Sequence, residues 1–205
     1  FDASSCTQAW RWNLDHVVDP SGNTASYWYT KETNYYGRNL KTTGAAYVRG
    51  GYLSRIEYGG RLNAEYSTPA PDRIIFDVAE RCLPTTGFTC SDAEFVAANA
   101  TRWPDVPMDQ ACKSGEACTN RYSPTFWSRK RLTAIRTEAL ASATTYAAVD
   151  TYSLAQSYPN SGDGLSPALW LSSITRTGKV GGTAALAPVT FGGVQLGNRV
   201  DSGTD

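Results

Sequence analysis

The sequence predicts an all-β protein, built mainly of antiparallel hairpins, with one short helix near residues 92–100. Three observations carry this. Apolar and polar residues alternate with a period of two, as where Ile74, Phe76 and Val78 alternate with Arg73, Ile75 and Asp77; a pleated strand sends such sets to opposite faces. Turn-forming clusters recur between these stretches, at Asp19-Pro-Ser-Gly-Asn23, Gly50-Gly51, Gly59-Gly60 and Asn160-Ser-Gly-Asp-Gly164. The composition, with 12 Tyr, 6 Trp, 18 Gly and 10 Pro in 205 residues, suits strands and turns.

Element by element, Trp10, Trp12 and Leu14 alternate with Arg11, Asn13 and Asp15, predicting a strand whose Trp face is core. Asp19–Asn23 is the turn. In the returning arm Tyr27 and Tyr29 share one face and Trp28 takes the other. The polar residues 31–44 read as a long surface loop, followed by a short strand at 45–48. Gly50-Gly51 reads as a turn, 52–58 as a strand closed by Gly59-Gly60, and 61–67 as a returning strand. Residues 72–81 form a further strand. Ser91-Asp-Ala-Glu94 has the form of a capping box; Phe95, Val96 and Ala98 supply a stripe, and Trp103-Pro104 stops the helix. Residues 105–123 look irregular. Strands resume at about 125–138, 146–157, 170–177, 183–186 and 188–191. The chain divides into β-hairpins over 1–66, a tied-down insertion with the helix over 67–124, and a strand segment over 125–205.

A short pattern, Leu-x-x-Ile or Leu-x-x-Val, recurs as Leu14/Val17, Leu53/Ile56, Leu132/Ile135 and Leu171/Ile174, at intervals of 39, 79 and 39 residues. Residues three apart on a regular strand face opposite sides. Each copy therefore buries part of both faces or contains a β-bulge.

The chain is long enough to bury roughly 70% of its unfolded surface in one core. Lys plus Arg equals Asp plus Glu, at 19 each, so nothing draws it to nucleic acid or an anionic membrane. The cationic run Ser128-Arg-Lys-Arg131 reads as a solvated strand face. No stretch approaches twenty apolar residues. Of five cysteines, Cys82 and Cys90 flank one short loop and Cys112 and Cys118 another. These spacings suit two local disulfides in an oxidising compartment, with a four-cysteine zinc site as the alternative. Cys6 is left over, and an upstream partner is expected for it.

Catalytic, cofactor and metal residues are expected to be none. The single histidine, His16, cannot by itself build a triad or a two-histidine metal site. Glu57, Glu65, Asp77 and Glu80 could in principle supply paired carboxylates; they read better as solvated face residues, with Asp72-Arg73 and Glu80-Arg81 as surface ion pairs. The oxygen-rich turns Asp19–Asn23 and Asn160–Asp163 could meet calcium, yet turn formation accounts for both. The Trp set could form a sugar platform, so a glycan is the possible ligand and a secreted carbohydrate-binding β-module the alternative function. Asn99-Ala-Thr101 is a sequon inside the expected helix.

Leu14 and Val17, then Asp19, Gly22 and Asn23 in D-P-x-G-N, then Tyr27 and Tyr29 in Y-x-Y, resemble the tyrosine–aspartate repeat of the bacterial Rhs/YD-repeat family. Gly51-Tyr-Leu-Ser-Arg-Ile-Glu-Tyr58 is a second partial copy. Stretches at 124–132 and 166–176 are similar to the long Rhs-type proteins of secreted bacterial toxins. The resemblance implies a YD-repeat-like sheet, part of a hollow β-shell that encloses and helps deliver a C-terminal toxin domain. It implies a non-catalytic structural segment, secreted or at the cell surface, whose partners are the remainder of a larger polypeptide, downstream repeats and toxin domain included. Residues 67–124 depart from the repeat pattern.

Overall fold

The computed structural model describes residues 3–162 and 164–194. They form one antiparallel sheet in which successive strands are neighbours: β1 (His16–Val18), β2 (Asn23–Tyr36), β3 (Ala45–Arg61), β4 (Asp72–Glu80), β5 (Lys130–Leu140), β6 (Tyr146–Ser157), β7 (Trp170–Gly178) and β8 (Ala184–Ala185), with β9 (Val189–Thr190) also on β7. The all-β expectation is therefore met. The helical content among the described residues is three short 3₁₀ segments, Arg38–Leu40, Ala97–Arg102 and Met108–Gln110.

Three strands carry the Leu-x-x-Ile unit, and all three contain a bulge inside it. Leu53 and Arg55 oppose consecutive residues of β2, leaving Ser54 as the extra residue. Leu132 and Ala134 do the same on β4, with Thr133 extra. Leu171 and Ser173 do so on β6, with Ser172 extra. The extra residue resets the alternation, so each Leu shares a face with the Ile three positions on. The hydroxyls stitch the bulges: Ser54 Oγ donates to the Trp28 carbonyl at 2.8 Å, Thr133 Oγ1 to the Asp77 carbonyl at 3.0 Å, and Ser172 Oγ lies 3.0 Å from Ser157 Oγ. Leu14/Val17 departs: Asp15 stands where the others have a hydroxyl, and Leu14 lies outside β1.

The registers then give the sheet two unlike faces. Tyr27, Leu53, Ile56, Ile74, Phe76, Val78, Leu132, Ile135, Leu154 and Ile174 lie on one, and every one of them is only half-buried. Trp28, Arg55, Glu57, Arg73, Asp77, Arg136 and Glu138 lie on the other. The fully buried apolar residues among those described, Cys82, Phe95, Trp103, Val106, Cys112 and Cys118, all belong to the insertion between β4 and β5. The sheet is a single layer, and its apolar face is not sealed by the described chain. Deleting Thr133 is expected to abolish the native fold, because the rest of β5 would turn over. Thr133→Val, which loses one hydrogen bond, is expected to cost about 1 kcal/mol. Circular dichroism and urea titration separate the two.

Several expectations are corrected. Trp10, Trp12 and Leu14 do not form a buried strand: they are 47%, 87% and 54% exposed. The arm leaves the ladder, tied down by Tyr29 Oη on the Leu14 carbonyl and by Trp10 Nε1 on the Val48 carbonyl, both 2.9 Å. Residues 31–44 are not one long loop, since β2 runs on to Tyr36. Gly50-Gly51 is not a turn but lies within β3. A Cβ on Gly51 would sit 2.8 Å from the Thr30 carbonyl oxygen, so glycine there serves close strand approach. Gly59-Gly60 does not close a strand, since β3 runs on to Arg61, and residues 62–67 are turns and not a returning strand. The expected capping box does not start a helix at 92. Asp92 is drawn to Arg129, Asn99 Nδ2 donates to the Glu94 carboxylate, and the helical residues are the 3₁₀ turns at Ala97–Arg102. Too few turns form to outweigh these competing contacts.

Candidate functional site

β3 and β4 pair only where Arg55–Tyr58 meets Asp72–Ile75. Beyond that point they part, β3 following β2 and β4 following β5. The insertion fills the opening, and its core packs Phe88, Cys90, Met108, Ala111 and Trp127 around the buried residues. Cys82–Cys90 and Cys112–Cys118 are disulfides, each closing a loop short enough to give about 2–3 kcal/mol in the chain-entropy picture. Cys6 is free and exposed.

Charge holds the fork together. Glu32, Arg49 and Glu80 are 6%, 6% and 5% exposed. Arg49 is the extra residue of a bulge opposite Glu32 and Thr33. From there it donates to Glu32 Oε1 at 3.2 Å and stacks 3.7 Å above the Trp127 ring. Glu32 also accepts from Ser128 Oγ at 2.7 Å and from the Arg129 amide at 3.0 Å. Across the fork, Glu80 meets Lys130 and Arg129, and Arg129 reaches on to Asp92 at 2.5 Å. Arg129 Nε lies 2.8 Å from Glu80 Oε2, but the two are not aligned for a hydrogen bond. The run Ser128–Arg131 is thus not a solvated face. Arg129 keeps only 12% of its side chain exposed, and Arg131 donates to the Glu80 and Cys82 carbonyls and to Gln156.

These surroundings move the charges. Burial lowers the Arg49 pKa, with the nearby Arg129 charge adding to it and Glu32 opposing. The Arg129 hydrogen bond holds Asp92 below the usual carboxylate range. A depressed carboxylate contributes stability above its unfolded value, about pH 4, and loses it as pH falls through the lower folded value. Asp92→Asn is therefore expected to flatten the acid limb of the stability curve below about pH 4 and to leave its shape near neutrality unchanged. Urea midpoints against pH check this.

The carboxylates considered for catalysis each have a partner, and only Glu57 and Glu65 line a common pocket. Glu57 accepts from Arg55 Nε and Trp28 Nε1, both at 2.8 Å; Asp77 pairs with Arg136; Glu65 lies 3.5 Å from His16 Nε2; Glu80 belongs to the fork. Glu80 and Glu65 are not solvated face groups, because each has a cationic or imidazole partner and little exposure. The expected Asp72-Arg73 and Glu80-Arg81 pairs do not form. Consecutive strand residues face opposite ways, and Arg73 instead pairs with Glu138 at 2.6 Å and Arg81 with Asp105 at 2.6 Å. Tyr158 Oη, 3.2 Å from Asp105, is pushed up by burial and by that carboxylate.

The turn motif is built by hydrogen bonds. Asp19 Oδ1 accepts from the Ser21 and Asn23 amides at 2.8 and 2.9 Å, and Oδ2 from Asn23 Nδ2 at 2.6 Å. Gly22 takes φ +77, open to glycine at no steric cost. The protein thus occupies both Asp19 oxygens. At the second turn Asn160 Oδ1 accepts from the Gly162 amide at 2.9 Å, and Asp163 lies outside the described residues. No group of three or more His, Cys, Asp or Glu among the described residues could hold a metal. No described helix is long and apolar enough to cross a membrane. The exposed rings Trp10 and Phe126 meet at 47°, and exposed Tyr66 meets half-buried Trp28 at 85°.

Of the fork residues, sequence reasoning singled out Glu80 and the 128–131 run. Glu32 and Arg49 went unmarked, and Asp92 and Trp127 figured only in the capping-box pattern and the 124–132 stretch. Their partners lie 17 to 97 positions away, and the one local signal was Gly50-Gly51, which marked a close approach without naming the partner.

The molecule is an open, single-layer antiparallel meander carrying a disulfide-tied insertion. No protein-family model and no curated protein matches it. It is similar to chains in the crystal structures of TcdB2-TccC3 and TcdB2-TccC3-TEV, at 12% and 13% identity with TM-scores of 0.49 and 0.48. Each match covers 88% of this chain and 9% of the other.

Proposed function

We propose that the chain is a non-catalytic structural segment of a secreted Rhs/YD-repeat protein, forming part of a β-shell that encloses or delivers a toxin domain. The recurring bulged unit carries this reading. Three strands repeat Leu, a hydroxyl residue as the extra position, one further residue and Ile, which is how a repeating sequence makes a repeating ribbon. The half-exposed apolar face supports it too, since monomeric proteins rarely leave so broad a face uncovered. Two disulfides suit an exported protein.

The test is cysteine accessibility on that face. With Cys6 replaced by serine, Ile135→Cys in the full-length polypeptide is expected to resist a maleimide, whereas the same cysteine in residues 1–205 alone reacts. Equal reactivity in both would sink the enclosure reading. The carbohydrate-module alternative draws on the exposure of Trp12 and Tyr66, at 87% and 78%. The rings reported above are tilted where a sugar platform needs them coplanar. Glycan-array binding lost in Trp12→Ala would favour the module.

A further inference from the structure

Beside the buried ion cluster lies an open pocket of about 460 Å³, within the size range of ligand sites. Six basic side chains line it, Lys31, Arg49, Lys113, Arg121, Arg129 and Lys130, against three carboxylates, Glu32, Asp92 and Glu116. Glu80 lies just behind and does not restore balance. The deep members are committed: Arg49 to Glu32, Arg129 to Asp92 and Glu80, Lys130 to Glu80. The rim members have no ion-pair partner among the described residues, although Arg121 Nε donates to the Asp109 carbonyl at 2.6 Å and keeps its other donors. Among the described residues no carboxylate comes within ion-pairing distance of the charged groups of Lys31, Lys113 or Arg121. Arg49 Nε is buried without a partner, so the interior too has donor capacity to spare. In a chain whose charges sum to zero, this local excess is a feature of the site.

The rest of the lining narrows the ligand. Phe95, Val96, Ala97, Met108 and Ala111 form an apolar wall beside the cations. Phe95 is 4% exposed and already covered by Arg129, so it offers no open ring face on which a sugar could stack. A bare inorganic anion would leave the wall unused. Carboxylates interleaved with aliphatic side chains satisfy both parts: the rim cations meet the charges and the wall takes the apolar groups.

We infer that this pocket binds an extended acidic peptide segment, its carboxylates held by Lys31, Lys113 and Arg121 and its aliphatic side chains against Val96 and Met108. The inference does not rest on the shell reading. The experiment is fluorescence anisotropy with a labelled, end-blocked octapeptide of alternating Glu and Leu. Controls are the Lys-for-Glu octapeptide and a sulfated heparin-type oligosaccharide. The expected result is saturable binding of the acidic peptide that weakens with added salt. It should weaken about tenfold in Lys31→Glu/Lys113→Glu, two reversals of exposed charge that leave the buried cluster intact, and stay unchanged in Lys179→Glu, which lies after β7. Matching circular dichroism spectra keep folding out of the comparison. Absence of binding, equal binding by the rim variant, or tighter binding of the oligosaccharide than of the peptide would overturn the proposal.

Discussion

Replacing Trp103 with alanine is expected to destabilise the insertion by about 3–5 kcal/mol, the usual cost of deleting a buried aromatic that cannot be refilled. Trp103 is 1% exposed and meets Phe88 and Phe95 edge-to-face, at ring distances of 6.2 and 5.3 Å. It is the largest fully buried side chain described, in a cluster too small to collapse around the void. Its Nε1 is buried without a partner, so Trp103→Phe, which keeps an aromatic and removes that orphaned donor, should cost clearly less. Because the core and the sheet are separate bodies of contact, the damage should be local. Hydrogen exchange is expected to rise across 82–118 while β5 to β7 keep their protection. A loss below 1 kcal/mol, or one spread evenly over the sheet, would show that this cluster is not the core of the insertion.

Removing Glu80 should cost about as much. Glu80→Ala leaves the neighbouring cations Arg129 and Lys130 at the edge of the fork without their shared, buried carboxylate, and breaking a buried pair from one side typically costs about 3–5 kcal/mol. Asp77→Ala, which removes a carboxylate 39% exposed from an arginine 35% exposed, should cost less than about 1 kcal/mol. Two carboxylates three positions apart on β4 thus differ several-fold in what they hold. Adding Arg129→Ala to Glu80→Ala should recover part of the loss, because the penalty lies in the stranded charge and not in an absent attraction. Urea midpoints of the four proteins decide it, and equal losses for Glu80 and Asp77 would contradict the burial argument.

The insertion explains how one chain can have an ordered core and an unsealed sheet. Each disulfide closes its own loop, so the insertion is tied locally, and Glu32, Arg49 and Arg129 moor it to β2, β3 and β5. The sheet depends instead on ladder hydrogen bonds and on ion pairs across its polar face, where Arg73 spans to Glu138 and Arg136 to both Asp77 and Glu138. The Asp77–Arg136 pair is half-exposed and adds little, while Glu138, 6% exposed, is shared by two arginines. The stability of the ribbon by itself should be modest, and covering its apolar face would supply what is missing.

Much of the fold was legible from residues alone. The strands at 72–80, 146–157 and 170–178 follow from alternation, the turn at Asp19–Asn23 from residues that bond their own backbone, and the possibility of bulges from Leu and Ile three apart. These are local properties, set by a period of two and by φ preferences within a few positions. The long reach of β2 and β3 was not legible, because polar residues 31–36 enter a strand only when a partner offers the other half of the ladder. The helix expected at 92–100 is displaced to 3₁₀ turns at Ala97–Arg102 for the converse reason, a local preference overruled at Asp92 by Arg129 from 37 positions away. The sequence by itself determined that 72–80, 146–157 and 170–178 are pleated, that the chain turns at Asp19–Asn23, and that side chains alternate along those strands. Only the tertiary structure decided which charge meets which, that the Trp face of the first arm stays in solvent, and that a fork opens between β3 and β4. Alternation assigns a residue to a face, but its neighbours on that face come from strands brought alongside by register.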